Sequence, residues 1–400
     1  MAKTPAEPSG PPRTEPTLKP GLPVSGADFF GRDKEVSSFW RQIEQSNVLM
    51  VSPRRVGKTS LMHHIRDNPA AGWATVFVDV EGKASAAAVL LAVVEALDKR
   101  GGIGKKIAGS VFQALSQIDS VGAAGVSLKF TKVAKDHWDF LSAEFERAIA
   151  AGATKNERLL LIVDEFPIVI RQLFSAVETK QDAVNLLQLF RKIRMDTGLK
   201  DRFRMVVGGS IGLKPVLRRQ KATAEANDLK PFRVGPWSNA IARKFMDGIG
   251  RSSGLNLSEP IRAEVFKRVG DTPIPYYLQV MLDRLVGLEL PSEAITAAEV
   301  EAVWQESLGD VDLDHYQERL PDVLGGDEAE AASLMLDKVA LEGARLRTEL
   351  AAVSSKRGVS SEALRVLVED GYLVERSTPE GLVLAFSNPM IEAFWRKHCL

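Results

Sequence analysis

Residues 52–59 read SPRRVGKT, directly after the short apolar run NVLMV of residues 47–51 and directly before a helical pattern, SLMHHIRD. A chain of phosphates needs a concave cluster of backbone N–H donors, a mobile ammonium, and a hydroxyl for the accompanying divalent cation, and a loop between a strand and a helix supplies all three. Gly57, Lys58 and Thr59 fill those roles here. Ser52, Pro53, Arg54, Arg55, Val56 and Ser60 complete the candidate cradle for ATP with Mg2+, with Thr59 as the metal-holding hydroxyl. The full pattern asks for glycine five residues before the Gly-Lys pair, where this chain has Ser52, a residue that prefers negative φ. GKT alone is a weak signal. The strand before it and the helix after it make it specific, with a ligand-free turn as the alternative.

A phosphate loop of this kind is completed by acids at the carboxyl end of a neighbouring parallel strand, the edge at which open α/β sheets bind ligands. Residues 158–165, RLLLIVDE, are a continuous apolar run ending in two acids. Asp164 would hold the magnesium water shell, and Glu165 would orient or deprotonate a water attacking the terminal phosphate. Residues 204–210, RMVVGGS, form another apolar strand whose last residue, Ser210, would bond that phosphate or water. By itself Asp-Glu at a strand end is as readily a solvated turn.

The elements that position these residues follow from periodicity. Residues 32–45 place Val36, Phe39, Trp40 and Ile43 on one helical face. Residues 74–80 (ATVFVDV) form a second buried strand, followed by an alanine-rich helix over 84–98. Glycines punctuate 101–125, and the alternation in 125–130 (GVSLKF) predicts an inserted strand or hairpin arm. Residues 137–150 and 183–195 are helical by period, and 237–290 is helical with a break at GDTPIP. Strand and helix alternate, so the fold class is α/β with a parallel sheet of at least four strands.

The 400 residues exceed what one core usually accommodates, so several parts are expected. With 45% hydrophobic and 26% charged residues, the composition is that of an ordinary globular protein and excludes a disordered or membrane-spanning chain. One cysteine, Cys399, rules out an intrachain disulfide and fits a cytoplasmic location. The proline-rich N-terminus, residues 1–25, has no apolar signal core and reads as a disordered tail.

Net charge is zero but unevenly spread. Residues 189–235 hold twelve Lys/Arg against four Asp/Glu, and residues 301–330 hold ten acids with Arg319 as their only base. The first stretch would face phosphates; the second would not.

FFGRDKEV (residues 29–36), PRRVGKTSL, LLIVDEFP, VVGGSIGL and PIPYYLQ together resemble the archaeal-type ATPases, STAND proteins near the AAA+ group, from residue 29 to the C-terminus. GYLVER and LAFSNPMIEAFWRKH are similar to that family's terminal winged helix. The resemblance implies an ATPase core over 26–235, a helical lid over 236–327 and a winged helix over 328–400. It also implies that Phe30, Gly31 and Arg32 lie beside adenine, that Ser210 is the first sensor, and that Pro275 contacts nucleotide from the lid; Ser52 and its Pro-Arg-Arg sequel look normal for the family.

By the same resemblance the protein would be an ATP-hydrolysing switch, alternating with ADP and acting on a second copy of itself or on a partner protein, the product of a neighbouring gene in a defence or mobile-element setting. Arginines in trans commonly complete such sites, and Arg191, Arg194, Arg218 and Arg219 are candidates, with solvated surface positions as the alternative. An ATP-dependent DNA-binding regulator or loader is the competing function. Residues 360–369 would then be a recognition helix, but they carry only Arg365, with Lys356 and Arg357 ahead, and residues 341–400 hold eight bases against eight acids. That balance favours a lid or protein contact. A small-molecule kinase would need an acceptor pocket and fits less well. His63 and His64 read as helix surface, Tyr276 and Tyr277 as packing, and Phe394 and Trp395 as core anchors.

Overall fold

A computed structural model describes residues 14–118, 137–310 and 313–400. The strand expected at 125–130 lies outside them. Contacts divide the chain into two compact units, Met1–Arg32 with Pro236–Val311, and Asp33–Gly235 with Asp312–Leu400.

The larger unit is built on a five-stranded parallel sheet, β1 (Val48–Val51), β2 (Trp73–Asp79), β3 (Arg158–Asp164), β4 (Phe203–Val207) and β5 (Lys230–Arg233), in the order β2-β3-β4-β1-β5. The apolar runs form these strands because helices cover both faces: every residue of β4, and all of β3 after Arg158, is buried. The helices are α1 (Asp33–Ile43), α2 (Lys58–Asp67), α3 (Ala86–Arg100), α4 (Gly102–Ile118), α5 (Trp138–Gly152), α6 (Phe166–Ser175), α7 (Lys180–Met195) and α8 (Leu213–Arg219). Strand β5 was not anticipated. Its sequence KPFR is short and polar, and Pro231 lacks a ladder donor, which suits an edge paired only to β1 through Val48↔Lys230 to Val51↔Arg233.

After Val311 the same unit continues with α13 (Asp314–Val323), numbered after the smaller unit's helices, and then α14 (Gly326–Glu342), β6 (Arg345–Leu346), α15 (Arg347–Lys356), α16 (Glu362–Glu369), β7 (Leu373–Thr378), β8 (Gly381–Phe386) and α17 (Pro389–His398). Helices α14 to α17 and an antiparallel sheet in the order β6-β8-β7 make a C-terminal module whose arrangement is consistent with a winged helix. Trp395 anchors it, fully buried, with Nε1 donating to Asp337 at 2.8 Å.

The smaller unit contains α9 (Asn239–Ser253), α10 (Glu259–Val269), α11 (Pro275–Gly287) and α12 (Ala297–Asp310). Ser238 caps α9 by accepting from the Ile241 amide, and Pro275 opens α11 where no amide donor is needed. The expectation of a disordered tail over 1–25 is corrected from residue 14 onward: Thr17 donates to Asp28 through amide and hydroxyl at 2.7 and 2.9 Å, and Arg251 pairs with Glu15 at 2.7 Å. Charge in this segment is paired with specific partners rather than solvated. No helix of the described residues is long and apolar enough to cross a membrane.

Candidate nucleotide site at the phosphate loop

The loop between β1 and α2 turns on Gly57 at φ 93°, and Lys58 begins the helix, so the first amides of α2 open toward the loop. Ser52 is not among the positive-φ residues, which removes the conflict posed by serine at that place; Arg55 takes the left-handed conformation instead, at φ 67°. The Ser52 hydroxyl is buried with no hydrogen-bond partner among the described residues.

The acids are not on the strand next to β1, as expected, because β4 lies between β1 and β3. The two strand ends are therefore about 10 Å apart across two sheet spacings. Glycines clear that gap. A Cβ on Gly208 would stand 2.3 Å from Met62 Cε, and one on Gly209 would stand 2.6 Å from Pro167 Cδ. Across the cleared space the Thr59 hydroxyl donates to Asp164 Oδ2 at 3.2 Å. The pair expected to hold magnesium is thus brought together, and a hydroxyl beside a carboxylate is the oxygen donor set that ion takes.

Glu165 caps α6 in the left-handed region at φ 55°, a strained placement for a side chain with a Cβ. The turn aims its carboxylate at the end of β4, where Ser210 donates to Oε2 from its amide at 2.8 Å and its hydroxyl at 3.0 Å. The Glu165 amide donates to Asp164 Oδ1 at 3.0 Å, so both acids are fixed by one turn.

Burial dominates the electrostatics. It pushes the Asp164 carboxyl above its ordinary range, opposed by the Lys58 ammonium, and it pushes Lys58 down, opposed by Asp164 and Glu165. Arg54 is likewise lowered by burial and by repulsion from Arg319 and Arg55. Lys58, Arg54 and Arg319 therefore crowd one interior with like charge, which an anion would relieve.

Arg319 is the residue that sequence reasoning missed. The acidic stretch 301–330 was expected to stay away from phosphates, yet its single base is 9% exposed at the side chain and donates from Nη2 to the Ser210 carbonyl at 2.7 Å. Asp370 faces it at 3.6 Å. Its lone positive charge among ten acids was the available signal.

Phe30, Gly31, Arg32 and Pro275 belong to the smaller unit. Phe30 packs edge-on against Trp237 and Phe245 at 6.2 and 5.6 Å, and Gly31, at φ 70°, comes so close to Ile241 that a Cβ would lie 2.4 Å from it. Arg32 and Pro275 are buried. Trp237, not foreseen, has a buried indole N–H with no partner among the described residues.

Two arginines proposed for action in trans are committed elsewhere. Arg194 is 2% exposed at its side chain and forks onto Asp228 at 2.7 and 3.0 Å, while Arg218 binds Glu362 and Glu369 of α16. Arg219 donates to the Val323 carbonyl at 3.4 Å, and Arg191 keeps a 42% exposed side chain 4.0 Å from Glu225.

A parallel sheet ordered β2-β3-β4-β1-β5, with a phosphate loop after β1 and adjacent acids ending β3, is the fold of the AAA+-like P-loop ATPases. Among solved structures the chain is similar to the Walker-type ATPase of Pyrococcus abyssi, at 16% identity and a TM-score of 0.58, covering 92% of this chain and 96% of that one. It also matches the ORC2 protein of Aeropyrum pernix, solved with ADPNP and ADP, at 12% identity and a TM-score of 0.49, covering 91% and 93%. No protein-family model matches the chain, and neither does any curated protein.

Proposed function

We propose that the protein binds ATP with magnesium, hydrolyses it, and uses the difference between the two nucleotide states as a switch on a partner protein or a second copy of itself. The observation that carries this reading is the meeting of Thr59 with Asp164 at 3.2 Å and of Glu165 with Ser210 at 3.0 Å, at adjacent ends of β3 and β4 beside the phosphate loop.

In this reading Lys58 and the first amides of α2 hold the phosphates, and Thr59 and Asp164 hold the magnesium. Glu165, kept in place by Ser210, accepts a hydrogen bond from the attacking water and turns its lone pair toward the terminal phosphate. Magnesium, when bound, supplies charge neutralisation on the phosphate oxygens. The aromatic cluster of Phe30, Trp237 and Phe245, with the unpartnered indole N–H, is suited to a base; we assign it with Gly31, Arg32 and Pro275 to adenine.

The switch reading is preferred to the DNA-loader reading because α16, the helix that would enter a groove, is tied down. Four of its eight residues are fully buried, and Glu362 and Glu369 are bound to Arg218 of α8. A helix presenting Arg365 alone offers little to a phosphate backbone.

Titration with a fluorescent ATP analogue tests the site. Wild type should bind in the presence of magnesium, and Lys58→Ala should lose at least tenfold in affinity. Equal binding by both would remove Lys58 from the phosphates.

A further inference from the structure

Strand β2 ends the parallel sheet, with β3 on one side and no strand of the described residues on the other. The Val80 amide donates to Asp164 and the Gly72 carbonyl accepts from Arg158, so the even-numbered residues of β2 face β3 and the odd-numbered ones turn their backbone groups outward. One outward group is already taken: the Thr75 carbonyl accepts from Arg100 Nε at 3.1 Å. The amide and carbonyl of Phe77 and the amide of Asp79 stay open, the template with which an added strand pairs. A groove of about 420 Å3 runs beside them. Phe77 forms one lip with Arg66 of α2, whose guanidinium lies 5.8 Å from the ring centre. Ala92 and Ala96 of α3, one turn apart and half-buried, form the other. Two alanines leave the depth that a second backbone needs.

We infer that this edge of β2 takes an extended acidic segment of a partner protein as an added strand. Sign decides the occupant. Arg66, Lys83, Lys99 and Arg100 line the groove against Asp79 and Glu95. Asp67 neutralises Arg66 at 2.7 Å and the Glu81 amide occupies Asp79, whereas Lys83, Lys99 and Arg100 have no carboxylate within ion-pair distance among the described residues. A second copy meeting this edge through its own β2 would set the same bases against themselves, and a neutral or basic segment would leave them uncompensated. Main-chain bonds to Phe77 and Asp79 supply the pairing. Lys83 ahead of α3 and Lys99 at its end select glutamates or aspartates along the incoming strand. No residue of the candidate nucleotide site takes part, so the inference stands or falls separately from the ATP reading.

The test uses the full chain and a fluorescent, end-blocked peptide of about eight residues in which glutamate alternates with valine and threonine. Controls are the same peptide with lysine for glutamate, and two versions N-methylated on alternate amides, one set or the other, so that each loses hydrogen bonding along one edge only. The variants are Ala96→Phe, which fills the groove, and Lys83→Glu/Lys99→Glu, which reverses its charge while keeping Arg100 on the Thr75 carbonyl. Affinity is read by fluorescence anisotropy, and residue-resolved amide hydrogen exchange is followed over residues 73–79.

The glutamate peptide should bind wild type with a Kd below about 0.2 mM. It should slow exchange at Phe77 and Asp79 on the order of tenfold, while Val76 and Val78, already paired to β3, change by less than about twofold. Only one of the two methylated peptides should bind. Ala96→Phe should lower affinity by about tenfold, and Lys83→Glu/Lys99→Glu by at least about fivefold, with the lysine peptide then preferred. Should Ala96→Phe not fold, the charge variant and the peptides carry the test. Absence of saturable binding, binding by both methylated peptides or by neither, or equal affinity for the lysine peptide would overturn the inference. So would protection of Phe77 and Asp79 that grows with protein concentration and needs no peptide, which would make the edge an interface between copies.

Discussion

Arg218 ties the C-terminal module to the unit's parallel-sheet core, and truncating it has a size that can be worked out from the contacts. Its Nε donates to Glu362 at 2.8 Å and its Nη2 to Glu369 at 2.9 Å, with side-chain exposures of 22%, 22% and 31% for the three residues. Seven residues separate the glutamates, so they share one face of α16 and converge on one guanidinium. A fully exposed pair is worth about 0–1 kcal/mol and loss of one partner from a fully buried pair costs about 3–5 kcal/mol. At these exposures Arg218→Ala should cost roughly 2–3 kcal/mol, part of it from leaving two like charges facing each other. For a unit of this size that is a fall of roughly 3–5 °C in melting temperature.

The assay is urea unfolding of four proteins: wild type, Arg218→Ala, Glu362→Gln/Glu369→Gln, and all three changes together. The triple variant should recover at least about 1 kcal/mol relative to the sum of the separate losses, because the interaction is counted once rather than twice. An Arg218→Ala protein within about 0.5 kcal/mol of wild type, or strict additivity, would refute the claim that this cluster holds α16 against α8.

Arg194→Ala should cost about 3–5 kcal/mol, since it strands Asp228, only 11% exposed at its side chain, without a partner; a variant that is stable but inactive would restore Arg194 as a catalytic candidate. Gly371→Ala places a Cβ at φ 79° and 2.8 Å from Pro53, so it should lose roughly 1–2 kcal/mol from the backbone alone, read by urea unfolding, with no loss if Pro53 is not in contact. Burial would raise the Asp28 carboxyl, but hydrogen bonds from Lys19 and Thr17 outweigh it and hold the group below its ordinary value. Its contribution is therefore present above the unfolded carboxylate value, near 3.9, and is lost as pH falls through the lower folded one. At pH 7 Asp28→Asn should release residues 14–25 to proteolysis, and unchanged cleavage would count against this anchoring.

The positions of the candidate site residues were legible because they fall in short, contiguous pieces of chain. Ser52 to Ser60 lie on one loop and helix start, Asp164 and Glu165 are neighbours at the end of β3, and Ser210 follows β4 by three residues, so periodicity and spacing located each segment before any contact was known. What could not be read was the order of the strands. Nothing local says that β4 intervenes between β1 and β3, and the glycines that make room for it, Gly208 and Gly209, read only as a strand end. Strand β5 escaped because an edge strand needs no apolar run.

Arg319 was misjudged for a different reason. Charge counted along the chain averages over both faces of a helix, whereas α13 turns one arginine inward and leaves its acids elsewhere. The basic stretch 189–235 failed in the mirror sense: Arg194 and Arg218 are consumed by Asp228, Glu362 and Glu369, two of them more than a hundred residues away.

The most direct test of the account is phosphate release from ATP by wild type and Glu165→Gln under single-turnover conditions, with nucleotide binding measured in parallel. Glutamine keeps an oxygen for Ser210 but is not a base. The account predicts magnesium-dependent release by wild type and, for Glu165→Gln, binding within about threefold of wild type with release slowed by at least about a hundredfold. Release at the wild-type rate from Glu165→Gln, or none from wild type alone or self-associated, would contradict it.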